Sequence, residues 1–150
     1  MQFTEIQWRS DLYDQEIELR LELLRVPLGL TFSEQQLQAE SSDLHFGMLD
    51  GGRLIACAVI VPLSDALAKL RQMAVATTYQ RQGVGANLIG NIESALQGRQ
   101  FEAIELHARD NAVGFYEKLG YRKQGSQFIE VSLPHWKMTK SIRKFADDVD

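Results

Sequence analysis

The stretch Met73-Ala74-Val75-Ala76-Thr77-Thr78-Tyr79-Gln80-Arg81-Gln82-Gly83-Val84-Gly85-Ala86-Asn87-Leu88 constrains this chain most. It reads as a strand, a polar loop with two closely spaced glycines, and the first turn of a helix. The first N–H groups of a helix lack intrahelical acceptors, and the helix dipole places partial positive charge at the same end. A strand feeding such an end is a ready anion site. Gly83 and Gly85 carry no Cβ, so a phosphate can approach the main chain closely. Arg81 is either a bidentate phosphate donor or a solvated loop charge. The pattern therefore predicts a held pyrophosphate.

The flanking segments predict the rest of the frame. Phe3–Trp8 alternates as a short strand. Ser10 or Asp11 caps a helix to about Arg25, with Leu12, Ile17, Leu21 and Leu24 on a shared face. Pro27 and Gly29 end it, and Ser33 caps a shorter helix. His45–Leu49, Asp50-Gly51-Gly52 and Arg53–Val61 form a hairpin pattern, with Pro62 weakening the end of its second arm. Ala68–Val75 is a strand. The helix after Gly85 runs to about Leu96, with Leu88, Ile89, Ile92 and Leu96 facing the core and Gly98 as its stop. Phe101–Ala108 places Ile104, Leu106 and Ala108 on one face, Glu105 and His107 on the other. Asp110 or Asn111 caps a helix ending at Gly120, and strands around 121–131 and 135–140 follow. The order is β-α-α-β-β-β-α-β-α-β-β. Its one β-α-β unit implies two parallel neighbours beside antiparallel hairpins, hence a mixed α/β sheet flanked by helices.

At 150 residues the chain is read as one domain, 1–150, with a frayed acidic tail at 145–150. A net charge of −4 argues against a nucleic-acid binder, which would show a basic face. The lone cysteine, Cys57, excludes an intrachain disulfide and lies in an apolar run as a core residue. No apolar stretch approaches the ~20 residues of a membrane span. The first residues lack a signal-peptide pattern, so a cytoplasmic location is expected. The three histidines are scattered, and no metal site is expected.

Two nucleotide-binding patterns fail. A P-loop needs Lys-Ser/Thr after its last glycine, whereas Ala86-Asn87 follows Gly85. A dinucleotide fold needs Gly-x-Gly-x-x-Gly after a first strand, and only Gly83-x-Gly85 is present. Gln80-x-x-Gly83-x-Gly85 instead resembles the acetyl-CoA motif of the GNAT superfamily of N-acyltransferases. Met73-Ala74-Val75 lies where that family has its pantetheine-pairing strand. Ala112-Val113-Gly114-Phe115-Tyr116-Glu117-Lys118-Leu119-Gly120-Tyr121 is similar to its second CoA-contacting segment. The likeness covers roughly 6–140. Within the superfamily it is greatest to the ElaA-like and YjcF-like branch, through 19–29, Leu106-His107-Ala108-Arg109, Phe128-Ile129-Glu130 and Pro134-His135-Trp136-Lys137-Met138.

The resemblance implies a mixed, mostly antiparallel sheet of about seven strands with about four helices. It implies direct transfer of an acetyl group from acetyl-CoA to a primary amine of a small molecule or peptide, without a metal. Backbone N–H groups of Gln82, Gly83, Val84, Gly85 and Ala86, with Gln80 and Arg81, would hold the pyrophosphate. Met73, Ala74 and Val75 would pair with pantetheine, and the Val75 N–H would polarise the thioester carbonyl. Phe115 and Tyr116 fall in the CoA-contacting segment. Tyr116 is the family's usual acid for the leaving thiolate, or else an aromatic core residue. The family often has an Asn where Arg109 stands, and Asn111 follows two residues later, so both are candidates for CoA contact. The acceptor must lose a proton before attack. Histone-type members have a Glu where this chain has Lys69, so Glu105, His107, Glu130 and His135 are the candidate bases, beside bulk water. A CoA-binding sensor without turnover and a transferase for another acyl group are the alternatives. Dimers are common in the family, which leaves a homodimer as an open expectation. No nucleic-acid or membrane partner is expected.

Overall fold

A computed structural model describes residues 1–143, and the expected frayed tail at 145–150 lies outside them. The strands are β1 Gln2–Ile6, β2 Leu44–Asp50, β3 Arg53–Pro62, β4 Leu67–Val75, β5 Ala103–Arg109, β6 Arg122–Glu130 and β7 Leu133–Ser141. The α-helices are α1 Asp11–Arg20, α2 Glu34–Gln38, α3 Val84–Gly98 and α4 Val113–Lys118. The sheet order is β1-β2-β3-β4-β5-β7-β6. β4 and β5 run parallel, while β1–β2, β2–β3, β5–β7 and β6–β7 are antiparallel. The element order predicts the mixed sheet, and the resemblance implies its mostly antiparallel, seven-stranded form; both are found. Contacts divide the chain into two compact units, Met1–Val61 with Arg71–Ile92, and Pro62–Leu70 with the described residues from Glu93 onward.

In the first unit, local chemistry sets the element ends. The Ser10 side chain accepts from the Tyr13 N–H, so Ser10 rather than Asp11 caps α1. Ser33 and Gln36 form a full capping box on α2. Gly51 and Gly52 both take positive φ, as a two-residue hairpin turn of this twist requires. α1 departs from the apolar pattern. Its buried positions are Tyr13, Glu16, Leu19 and Arg20, while Leu12, Ile17, Leu21 and Leu24 are only partly buried. The regular helix stops at Arg20, and Leu21–Arg25 form a π-turn before Val26–Leu28 close with Gly29 in the left-handed region.

Charged groups at Glu16 and Arg20 are tolerated because they meet partners from distant positions. The Arg20 guanidinium donates to Glu16 Oε2 at 2.7 Å and to both Glu40 oxygens at 2.9 and 2.6 Å. Tyr13 donates to Glu40 Oε1 at 3.1 Å. His45 sets Nδ1 2.9 Å from Glu16 Oε2 and Nε2 3.1 Å from the Glu40 carbonyl. Both His45 partners are acceptors, so the ring donates from both nitrogens and is an imidazolium. Two cations then face two carboxylates. Burial opposes that charge on His45, but the Glu16 hydrogen bond and charge outweigh it and raise the His45 pKa. Burial likewise opposes ionisation of Glu40, and Arg20 overcomes it, lowering the Glu40 pKa. Cys57 belongs to the adjoining apolar core with Ile6, Leu19, Leu54 and Ala74, and burial pushes its thiol pKa up.

The second unit contains the β5–β7–β6 ribbon. Ile104, Leu106 and Ala108 are buried on one face of β5, as alternation predicts, and Glu105 and His107 lie on the other. β6 and β7 stay in register except between Gln124 and Phe128, where a bulge with Gly125 at positive φ adds residues opposite Trp136. The expected helix caps at Asp110 and Asn111 are absent. Residues Asp110–Ala112 form a 3₁₀ turn, and α4 starts without a side-chain cap. Asp110 instead accepts from Gln127 Nε2 at 2.9 Å and Trp136 Nε1 at 3.0 Å.

Candidate functional site

In the first unit, β4 delivers its last residues into the glycine loop. Gln72, just before Met73, sits inside the strand at φ +54, a left-handed conformation rare for a non-glycine residue. Its side chain accepts from Arg20 Nε at 3.4 Å. Ala74 is buried, so it offers only backbone to a ligand, whereas Met73 and Val75 are half-buried. The Gln80 amide donates to the Val75 carbonyl at 2.9 Å, and the Gln82 amide donates to the Thr78 carbonyl at 3.0 Å. The first bond braces the loop against the strand that precedes it, and the second ties the loop to the 3₁₀ turn at Thr77–Tyr79.

Arg81 at φ +63 and Gly83 at φ +80 alternate with Gln82, which stays at negative φ. Alternating hand of this kind is the backbone form in which successive N–H groups can turn toward one side, as in anion-binding concavities. α3 begins at once, at Val84, and continues for 15 residues. Val84 itself is buried, while Gly85 and Ala86 are half-buried and Arg81, Gln82 and Gly83 are exposed. A Cβ built on Gly83 meets nothing within 4 Å, so the space beside that backbone is open. The helix is fixed by Leu88, Ile89, Ile92 and Leu96, all buried as predicted. Burial of each contributes about 1.5–3 kcal/mol, so packing holds the loop's exit direction without help from a ligand.

Tyr116 belongs to the second unit, on α4. It is 8% exposed and lies edge-on to Phe115 and Tyr121, with centroid distances of 5.0 and 5.8 Å. Burial pushes its pKa up to about 12, so the phenol keeps its proton at neutral pH. Its hydroxyl has no hydrogen-bond partner among the described residues, yet it is not sealed. The polar side-chain atom that is both sealed and unpartnered there is Glu16 Oε1. The hydroxyl therefore remains open to solvent. Phe115 is partly exposed, and Arg109 and Asn111 are exposed at the end of β5 and in the turn after it.

The ribbon in the same unit gathers three of the candidate bases. His107 Nδ1 is 3.0 Å from Glu130 Oε1, and His135 Nε2 is 3.7 Å from Glu130 Oε2. Phe128 lies edge-on to His107 and stacked on His135, at 5.0 and 6.0 Å. Pairings of His107 with Lys137, Arg109 with His135, and Phe128 with His135 place these side chains on one face. Glu105 is on the same face but pairs with Lys137, its carboxylate 3.7 Å from Lys137 Nζ. Pairing to β4 covers only Ala103–Leu106, so from His107 onward β5 has a strand partner along one edge only.

Two supporting features left no trace in sequence patterning. The β6–β7 turn is made by Val131 and Ser132 at φ +50 and +63, where glycine or asparagine would be usual. That turn and the bulge together set Glu130 opposite Leu133. Among the described residues, Glu16, Glu40 and His45 bring potential metal-ligand atoms within 4.8 Å of one another. The Arg20 guanidinium already supplies the cation to both carboxylates.

The acetyltransferase (GNAT) domain family matches residues 28–142. The uncharacterised Bacillus subtilis (strain 168) protein YyaT is 32% identical over 77 residues, 51% of this chain and 52% of YyaT. The chain thus spans about half the length of the first curated relatives it matches. The uncharacterised N-acetyltransferase YjcF of the same strain is 28% identical over 104 residues, 69% of this chain and 74% of YjcF. Among solved structures, an aminoglycoside 6'-N-acetyltransferase complexed with coenzyme A superposes with a TM-score of 0.81 at 16% identity, covering 98% of this chain and all of the other. Escherichia coli ElaA gives 0.79 at 16% identity over 93% and 99%. At such identities these two likenesses speak for the fold. Among the described residues no helix is long and apolar enough to cross a membrane.

Proposed function

The chain belongs to the GNAT acetyltransferase family, and on that premise we propose that it transfers the acetyl group of acetyl-CoA to a primary amine of a small molecule or peptide. The observation that carries this reading is the Gln80–Ala86 loop. Its alternating left-handed residues, the open space at Gly83 and the start of α3 make a backbone cradle that fits a pyrophosphate. Arg81 adds a cation beside it. The bound thioester supplies an acyl carbon open to attack by an amine.

The protein's own residues have distinct tasks. The Val75 N–H would polarise the thioester carbonyl, while the Val75 carbonyl receives Gln80, which ties the strand end to the loop. Met73 and Ala74 offer further backbone for pantetheine. Tyr116, still protonated at neutral pH, gives the leaving thiolate a proton. Phe115, Arg109 and Asn111 are exposed beside that segment and are the residues through which CoA contact would be extended. No covalent intermediate on the protein is needed. Positioning of the two substrates accounts for most of the rate.

Calorimetry with CoA and thiol release from acetyl-CoA across an amine panel test the proposal. Gly83→Ala, which forces a Cβ onto a backbone at φ +80, is expected to weaken CoA binding at least tenfold. Tyr116→Phe is expected to leave CoA affinity unchanged and to lower kcat by roughly 10²-fold, the lower end for a positioned acid. Binding of CoA without amine-dependent thiol release would favour the sensor reading, and absence of CoA binding would end both.

A further inference from the structure

His107 is 23% exposed, and its Nε2 has no hydrogen-bond partner among the described residues. Its Nδ1 faces a carboxylate that only accepts, so Nδ1 carries the proton in the neutral ring and Nε2 presents a lone pair. Glu130 is the group that selects this tautomer. His135 lies on the other side of the same carboxylate. Its Nδ1 donates to the Leu133 carbonyl at 2.9 Å, which leaves Nε2 toward Glu130 Oε2. The carboxylate thus sits between two imidazoles, and Phe128 packs against both rings. The Val131–Ser132 turn, with a β-branched residue held at positive φ, fixes the register that brings Glu130 there. Strain retained beside a cluster of titratable groups points to a use for it.

From this geometry we infer that His107 Nε2 is the base that takes the proton from the acceptor ammonium, with Glu130 as its positioning residue. The inference rests on the acetyl-transfer reading and names the base that reading leaves open. In the step, the ammonium N–H proton passes to Nε2. The freed nitrogen lone pair forms the N–C bond at the acyl carbon and the C–S bond breaks. The thiolate takes the Tyr116 proton. The amide nitrogen sheds its second proton, one of the two protons restores Tyr116, and the other leaves to solvent from His107. The charged groups sharing this face are Lys69 and Glu105 at the paired end of β5, Arg109, Arg122, Lys137, Glu130 and His135. Glu105 is near Lys137 rather than His107, so Glu130 is the carboxylate that bears on the base.

Two measurements on the full chain decide it. The first is nitrogen NMR of the histidine rings without ligand. Wild-type His107 should show the Nδ1–H tautomer at high pH, Glu130→Asp should retain it, and Glu130→Ala should lose it. An Nε2–H tautomer in the wild type would overturn the inference. The second is the pH profile of acetyl transfer to spermidine, tyramine, lysine methyl ester and an unblocked alanyl peptide, beside CoA affinity. His107→Gln should remove the acid limb of kcat/KM and lower it at least tenfold, with CoA affinity unchanged. If no amine on the panel is accepted, the same base serves water, and the slow hydrolytic release of thiol should fall at least tenfold in His107→Gln. Retention of the acid limb, or of the hydrolytic rate, would overturn the assignment of the base while leaving acetyl transfer intact. Loss of CoA binding by the wild type would instead sink the transfer reading itself.

Discussion

A Cβ at Gly47 would stand 2.8 Å from the Ala56 carbonyl oxygen, 2.5 Å from Leu54 Cδ1 and 3.1 Å from Ile6 Cδ1. The two methyls can move, but the carbonyl belongs to β3 and cannot yield without disturbing the ladder. Gly47→Ala should therefore cost about 1–3 kcal/mol as overpacking. Urea unfolding measures it, and a loss below 0.5 kcal/mol would contradict the contact geometry. Nothing in the run around Gly47 announces this role, because the atoms that exclude a side chain come from β1 and β3. His107 is a parallel case. Alternation alone placed it off the buried face of β5, but its base-like tautomer depends on Glu130, 23 residues away.

At the scale of elements, some caps and turns were legible because their hydrogen bonds close within a few residues, whereas the caps expected at Asp110 and Asn111 do not form and the Val131–Ser132 turn gave no signal. The cap at Ser10, one of two candidates, the Ser33 cap and the Gly51-Gly52 turn are the legible ones. The buried stripe of α1 was not. The apolar spacing of Leu12, Ile17, Leu21 and Leu24 pointed to one face, whereas Glu16 and Arg20 occupy the deep one. A charge is buried only where its partners converge, and Glu40 and His45 arrive from after α2 and from β2. Removing one member strands the others. Arg20→Met should destabilise by about 3–5 kcal/mol. Glu34→Gln, which breaks the exposed pair with Arg9, should cost less than about 1 kcal/mol. Equal shifts in their urea midpoints would contradict this contrast.

For the whole molecule, the same network predicts how stability follows pH. His45 has a folded pKa above its ordinary 6.5. The stability it contributes is complete below that ordinary value and is lost as pH rises through the folded one. Glu40, lowered from 4.5, works in the opposite sense, with its contribution lost as pH falls through its folded value. The unfolding free energy should decline from pH 6 toward pH 9 in the wild type more steeply than in His45→Gln. Parallel curves for the two proteins would show that His45 carries no buried charge.

The order of strands and helices, the parallel step after β4 and the glycine loop that opens α3 could all be read along the chain. Each depends on periodicity, on capping, or on a glycine at a particular backbone angle, and these act over a few residues. Tertiary structure alone decided that Glu16, Arg20, Glu40 and His45 share one buried network, that Gln72 takes a left-handed turn within β4, and that Glu130 lies between His107 and His135. The partners in these arrangements come from separate elements, and whether a charge is paired or an imidazole is oriented depends on distances that only the folded chain sets.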